Sequence, residues 1–247
     1  MPSELPSEPQ AATFRSDVTV ELVKHTANDA DVLFAARVST KGEASLEDVH
    51  ADPERSKGLI NYLMRDRHGS PFEHNSMTFF VSAPIFVFRE FMRHRVGFSY
   101  NEESGRYRQL EPVFYVPAPE RKLVQEGKPG AYVFVEGTPE QHKIVEEATR
   151  RACETAYAAY LEMLDAGVAR EVARGVLPVG TYSSMYVTCN ARSLMSLVSL
   201  RTRRDSSRYP SFPQREIEMV AEQMEAEWAR LMPLTHAAFE ANGRVAP

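Results

Sequence analysis

Cysteine is scarce in this chain: two in 247 residues, Cys153 and Cys189, with no metal-ligand spacing between them. That excludes a disulfide framework and a Cys-based zinc module, and it fits a reducing compartment. No apolar run approaches the roughly 20 residues that a membrane helix needs. The first residues, Met1-Pro2-Ser3-Glu4-Leu5-Pro6, lack the basic and apolar regions of a secretion signal. A cytoplasmic location with no membrane partner is expected. Basic excess is missing too, since the net charge is −5, which disfavours a general nucleic-acid binder. There is no internal repeat, no Gly-x-Gly-x-x-Gly and no P-loop, so a doubly wound dinucleotide fold is not expected. His68, His74 and His94 lack the tight spacing of a metal site, and no metal is expected.

What the chain does have is a substantial core, with 43% apolar and 10% aromatic residues, and arginine in clusters. These lie at Arg89 to Arg95, Arg106 with Arg108, Arg170 with Arg174, Arg192, and Arg201 to Arg208. Guanidinium forks match phosphate oxygens two at a time. Local arginine clusters in an acidic protein suit small phosphorylated ligands better than a polymer. For any one arginine, surface pairing with the abundant glutamate explains as much.

Periodicity points to α+β: helices and mostly sequential strands that do not alternate regularly. Residues 1–15, rich in Pro, Ser and Glu, are expected to form a disordered tail, with one domain over 16–240. Val18 to Val23 alternates as a first strand. Asn28 or Asp29 is placed to cap a helix, and a second helix starts near Pro53. A strand is expected over Met77 to Val81 and a helix from Ala83-Pro84 through Arg93, with Pro at its first position. The stretch from Arg93 to Arg106 reads as one polar loop, followed by a strand at Val113 to Val116 and a mobile segment from Gln125 to Gly130. Thr138 to Gln141 forms a capping box for a long helix with Ile144, Ala148, Ala152, Ala156, Tyr160 and Met163 inward. A short helix at Arg170, a strand from Tyr182 to Thr188, an Asn190-capped helix to Arg201 and a helix from Pro213 to Leu231 complete the reading.

Three constellations carry chemistry. The first is Arg93-His94-Arg95 followed by Ser99, Asn101, Glu102, Ser104, Gly105 and Arg106, a density of polar groups with no packing reason; Gly105 would let backbone approach a ligand. The second is Asn190-Ala191-Arg192 through Ser196 at a helix start, where free N–H groups and Arg192 suit a diphosphate; Asn190 taken alone reads better as a plain helix cap. The third is Arg170 with Arg174, together with Arg201 at the end of an apolar helical face, which must emerge into a pocket or find a partner. Cys189 before a helix is read as packing.

Several separated stretches together resemble the flavin-dependent thymidylate synthases. They are Ala35 to Ser39, Ser70 to His74, Ala83 to Val87, Arg93 to Arg106, Arg170 to Arg174 and Asn190 to Met195. The resemblance spans residues 18–225. It implies an α+β fold with a mixed or antiparallel sheet flanked by long helices, assembled as a homotetramer with shared active sites. It implies methylation of dUMP to dTMP with 5,10-methylenetetrahydrofolate as carbon donor, NADPH as reductant and FAD as hydride carrier.

By position it assigns Ser70, Arg93, His94, Arg95, Glu102, Asn190, Arg192 and Ser196 to FAD, with His68 near flavin and folate. It assigns Glu90, Phe91, Met92, Arg93, Glu103, Ser104, Gly105, Arg106, Arg174 and Arg201 to dUMP. Arg201 resembles the arginine that polarises the uracil ring, and no enzyme cysteine attacks the base. The chain departs from the family pattern in carrying Val96-Gly97-Phe98 between Arg95 and Ser99, one residue more than many members, and in Ser196, where a longer polar residue is frequent. A nucleotide or flavin sensor without catalysis, and an RNA-contacting module built on Arg201 to Tyr209, are the readings of other classes; the acidic charge disfavours the latter.

Overall fold

The computed structural model describes residues 11–42, 53–128 and 131–247. In chain order these form β1 (Thr13–Arg15), β2 (Thr19–His25), α1 (Asp29–Lys41), α2 (Pro53–Arg65), β3 (Met77–Pro84) and α3 (Ile85–Phe91). Next come β4 (Phe98–Glu102), β5 (Val113–Tyr115), β6 (Val124–Lys128), β7 (Ala131–Val135) and α4 (Pro139–Asp165). The chain finishes with α5 (Arg170–Ala173), β8 (Tyr182–Cys189), α6 (Ala191–Arg201), α7 (Arg215–Leu231) and α8 (Pro233–Ala241). The class is α+β, and the chain divides into two units.

The first unit takes the described residues up to Asp17, Ser82–Phe88 and Glu102–Ser184. Here β1 pairs in parallel with β5, Thr13 opposite Val113, and β6 pairs antiparallel with β7. Thr138 opens α4 as a capping box: its side chain accepts from Gln141 N–H while the Gln141 side chain accepts from Thr138 N–H. The buried face of α4 is Cys153, Tyr157 and Tyr160, packed around Phe114 and Ala173.

The second unit takes Val18–Val81, Arg89–Asn101 and Met185–Pro247. A four-stranded sheet in the order β2-β3-β8-β4 runs mainly through it. Its core is Phe72, Met77, Phe79, Leu194, Leu197, Ile217, Val220, Met224 and Trp228, all fully buried. Asn28 caps α1 in a reciprocal capping box with Asp31. Asp29 does something else: its carboxylate accepts from the N–H groups of Leu234 and Thr235 and from the Thr235 hydroxyl, at 2.9, 2.9 and 2.6 Å. It thereby serves the start of α8, which has no side-chain cap of its own.

Several expectations need correction. The Arg93 to Arg106 stretch is not one loop, because β4 occupies its middle; Phe98 and Tyr100 stack at 5.8 Å and each packs edge-on to Phe91. Pro84 closes β3 rather than opening a helix, since Ile85 N–H and Phe86 N–H still donate to Thr181 and Val179 carbonyls. The tail expected over residues 1–15 is contradicted at its end, where Thr13–Arg15 is a strand. Residues 1–10 lie outside the described residues. Gln125 to Lys128 belongs to the β6–β7 hairpin, not to a soft segment, and Pro129-Gly130 lies outside the described residues. On α4, Ile144 and Ala152 are exposed, because the aromatic face at Tyr157 and Tyr160 buries more apolar area than the alanines would. The last helix of the sequence reading is followed by α8, which that reading missed.

Candidate active site

In the second unit, α3 ends at Phe91, and Arg93 N–H and His94 N–H close a turn onto the Glu90 and Phe91 carbonyls. The Tyr100 hydroxyl locks that turn, donating to the His94 carbonyl at 2.7 Å with the Phe91 carbonyl 3.0 Å away. Gly97 then takes φ +70°, and a Cβ there would drive into the Ser193 hydroxyl. The Val96-Gly97-Phe98 stretch thus turns at a left-handed position that only glycine fills without strain.

Arg201 reaches this turn from the last residue of α6. Its Nη1 donates to Glu90 Oε2 at 2.6 Å, its Nη2 to the Glu90 carbonyl at 3.4 Å, and its Nε to His94 Nε2 at 3.1 Å. The side chain is only 16% exposed. Each Nη carries a second N–H that these bonds leave over. Because His94 Nε2 accepts, its proton sits on Nδ1. Burial, and then the Arg201 charge, push the His94 pKa down to about 4, so the ring is neutral near pH 7. Arg93 and Arg95 on either side are exposed, and neither has a side-chain hydrogen-bond or ion-pair partner among the described residues. Met92 is partly buried and Phe91 fully so, which leaves Phe91 only its backbone to offer a ligand.

The lowered His94 pKa carries a stability consequence. Its contribution is fully present above 6.5 and is lost as pH falls through about 4, because the unfolded chain takes up the proton first. Denaturation midpoints across that window should fall more steeply for the wild type than for His94→Gln. Equal slopes would contradict the assignment of a neutral, half-buried ring.

Also in this unit, Asn190 caps α6, its side chain accepting from Ser193 N–H at 2.9 Å. Arg192 donates to Glu73 Oε1 at 2.5 Å and to the Pro247 carbonyl oxygen at 2.7 Å. Ser196 is exposed and turns its hydroxyl back to the Arg192 carbonyl. Ser70, itself exposed, opens a helical turn, Ser70–Glu73, that buries Pro71 and Phe72. His68 is exposed and stacks on Tyr62 at 5.6 Å.

In the first unit, Ser104 starts a tight turn: Tyr107 N–H and Arg108 N–H donate to its carbonyl, and Arg106 N–H to its hydroxyl. Arg106 pairs with Glu171 at 2.9 Å, both half exposed, and Arg108 pairs with Glu103 at 3.2 Å. Gly105 is buried for packing: a Cβ there would lie 3.0 Å from Leu110 Cδ1 and 3.3 Å from Arg174 Cδ. Burial raises the Glu102 pKa, partly offset by a Ser183 hydrogen bond, with Glu103 raising and Arg174 lowering it. Arg174 is exposed just beyond α5. The first unit thus gathers Glu102 to Arg106 with Arg174, and the second gathers Glu90 to Arg95 with Arg201, and Ser70 with Asn190, Arg192 and Ser196.

Both cysteines are buried, and burial lifts the Cys189 pKa to about 12. A thiol that stays protonated is a poor nucleophile. A folded Cys153→Ala, Cys189→Ala protein should keep its turnover. A loss beyond about a hundredfold, typical of a removed catalytic group, would overturn cysteine-independent chemistry.

Sequence reasoning missed three features here: β4, the Glu90–Arg201 ion pair and the Tyr100 lock. Only the first left a signal, the period-two alternation Phe98-x-Tyr100-x-Glu102.

Fold and side chains define an α+β protein in which Arg201 is braced by Glu90 and His94 while Arg93 and Arg95 stand exposed. A family profile described as thymidylate synthase complementing protein matches residues 21–234. The flavin-dependent thymidylate synthase of Streptomyces coelicolor is 73% identical over 245 residues, 99% of this chain and all of that protein. That of Tropheryma whipplei is 59% identical over 235 residues, 95% of this chain and 97% of that protein. The solved structure of the UMP/dUMP methylase PolB from Streptomyces cacaoi, bound with 5-Br UMP, superposes with a TM-score of 0.89 at 57% identity, covering 96% of this chain and all of that one. This chain belongs to the flavin-dependent thymidylate synthase family.

Proposed function

We propose that this protein is an enzyme that methylates dUMP to dTMP, with 5,10-methylenetetrahydrofolate as carbon donor, NADPH as reductant and FAD as its bound cofactor. One observation of the structure supports this most: a neutral, half-buried His94 holds Arg201 in place beside two exposed arginines that no group among the described residues neutralises. Family membership over residues 21–234 names the chemistry, and the relative described as a UMP/dUMP methylase supports a pyrimidine nucleoside monophosphate as substrate.

The donor set fits FAD. Arg93 and Arg95 supply uncommitted positive charge among the described residues, Arg192 adds a guanidinium shared with Glu73 and the Pro247 oxygen at a helix start whose Ala191 and Ser193 N–H groups already serve Asn75 and Asn190, and neutral His94 adds no third charge. When bound, FAD would supply hydride transfer, which the side chains of this chain cannot perform. Ser70, Arg93, His94, Arg95, Glu102, Asn190, Arg192 and Ser196 hold it, with His68 near flavin and folate. Glu90 to Arg93, Glu103 to Arg106, Arg174 and Arg201 hold dUMP. Arg201 places a fixed cation where negative charge develops on the uracil ring and eases loss of the N3 proton. Glu90 and His94 keep that guanidinium from swinging into solvent. Ser104 positions ligand rather than attacking it.

Residues 16–240 act as one catalytic domain, in a cytoplasmic homotetramer. No helix among the described residues is long and apolar enough to cross a membrane. FAD bound only by the assembled protein stabilises the assembly by mass action. Stripping FAD should therefore lower the melting temperature or the mass seen by light scattering; unchanged values of both at low protein concentration would contradict shared sites.

The reading is tested by the visible spectrum. The protein should purify yellow, or become so with added FAD, and bleach with NADPH under anaerobic conditions. A protein that binds dUMP but neither holds FAD nor bleaches would be a nucleotide sensor instead.

A further inference from the structure

Near Arg201 lies a buried polar cluster that the proposed chemistry does not use. Glu225, His236 and Glu240 bring their ligand atoms within 4.8 Å of one another, which resembles a cation seat. A guanidinium already fills it. Arg244 Nη1 donates to Glu225 Oε1 at 2.7 Å and to Glu240, and Nη2 donates to Glu225 Oε2 at 2.9 Å. His236 Nε2 lies 3.0 Å from Glu225 Oε1. Arg244 is 2% exposed, and its backbone holds φ +57°, a left-handed conformation that costs a non-glycine residue free energy.

The network ends on one further bond. Arg244 Nη2 donates at 2.8 Å to the hydroxyl of Thr202, the C-cap of α6 and the residue after Arg201. Thr202 is 1% exposed. Its hydroxyl donates to the Val198 carbonyl at 2.7 Å, and its carbonyl accepts from the Ser211 hydroxyl at 2.8 Å. The last turn of a helix has unsatisfied carbonyls and frays unless something holds it. Here a buried cation, anchored on α7 and α8, holds it from one side and Ser211 from the other. Arg201 projects from that turn on a long flexible stem, so a small rotation of the turn would carry its guanidinium away from Glu90 and His94.

We propose that Arg244, acting through Thr202, is a positioning residue for Arg201. This rests on the catalytic reading of Arg201 given above. The strained backbone and the buried ion cluster are what it takes to fix the turn from which that arginine acts.

The test compares two near-isosteric substitutions. Thr202→Val removes the hydroxyl that meets Arg244, and Thr202→Ser keeps it. In Thr202→Val, kcat should fall by about tenfold or more, up to the ~hundredfold that a displacement of roughly 1 Å can cost, with FAD content and the KM for dUMP nearly unchanged. Thr202→Ser should stay near wild type. A double-mutant cycle with Arg201→Ala should show the Thr202→Val loss disappearing once Arg201 is gone.

A second readout needs no turnover. With isotope-labelled histidine, the His94 titration should move upward toward the ordinary histidine range in Thr202→Val and in Arg244→Met, as the neighbouring cation leaves, and stay low in Thr202→Ser. Additive losses in the cycle, or a His94 titration unmoved in both variants, would overturn the positioning role while leaving the enzyme reading intact. A wild type that makes no dTMP would overturn the enzyme reading, and the unmoved titration would still decide the geometry.

Discussion

Arg201→Ala should lower turnover at saturating dUMP by about 2–4 kcal/mol in activation free energy, the usual cost of one preorganised donor to developing charge. The geometry says why turnover rather than binding should suffer. The guanidinium is 16% exposed and held by Glu90 and His94, so its charge is fixed before substrate arrives and needs no reorganisation as the ring becomes negative. FAD content and NADPH-driven flavin reduction without folate should survive better than dTMP formation. Arg201→Lys should recover only part, because an ammonium cannot meet Glu90, His94 and a ligand with one planar fork. Arg106→Ala and Arg174→Ala should behave differently, raising the dUMP concentration needed with smaller effects on kcat, as for phosphate clamps. Full restoration of Arg201→Ala by saturating dUMP would reduce Arg201 to a binding group.

Glu225→Ala should produce the largest loss of stability of any single substitution considered, about 3–5 kcal/mol, the range for removing one partner of a buried ion pair. Glu225 is 8% exposed on its side chain, and it accepts from both Nη atoms of Arg244 and faces His236. Its carboxyl is held below the ordinary glutamate range: burial alone would raise it, but His236 and Arg244 outweigh that. Removing it leaves a buried guanidinium with only Glu240 and Thr202. Chemical denaturation of Glu225→Ala and of Glu225→Ala with Arg244→Met separates the causes, since the double variant removes the stranded charge and should regain part of the loss. A double variant less stable than the single one would show that packing, not charge, dominates.

These residues also show where sequence is informative and where it is not. The helix starts at Asn28, Thr138 and Asn190 were legible because a cap and its N–H partner lie three residues apart. The start of α8 was not, because its cap is Asp29, 205 residues away from Leu234. Arg201 could be singled out as an arginine at the end of an apolar face, yet its partner Glu90 lies 111 positions earlier, so the pair was invisible. The strand β4 was overlooked because its alternating aromatics are embedded in a run of polar residues that reads as loop. The face of α4 was placed correctly at Tyr160 and Met163 but missed at Ile144 and Ala152, because small alanines suit any face of a helix; the tyrosines that pack in the Phe114 cluster decide it. The candidate site was recognisable as a set of motifs, whereas the turn held by Tyr100 and the brace from Arg244 depend on tertiary contacts that no local pattern encodes.

The central claim is that FAD held by this protein, and no enzyme thiol, carries the methylation of dUMP. It is tested most directly by mixing the cysteine-free variant with dUMP, 5,10-methylenetetrahydrofolate and NADPH under anaerobic conditions, with FAD bound or stripped, and quantifying dTMP by chromatography. Multiple turnovers should appear with FAD and vanish without it. Equal dTMP from the flavin-free protein, or none from a folded, fully flavin-loaded one, would contradict the account.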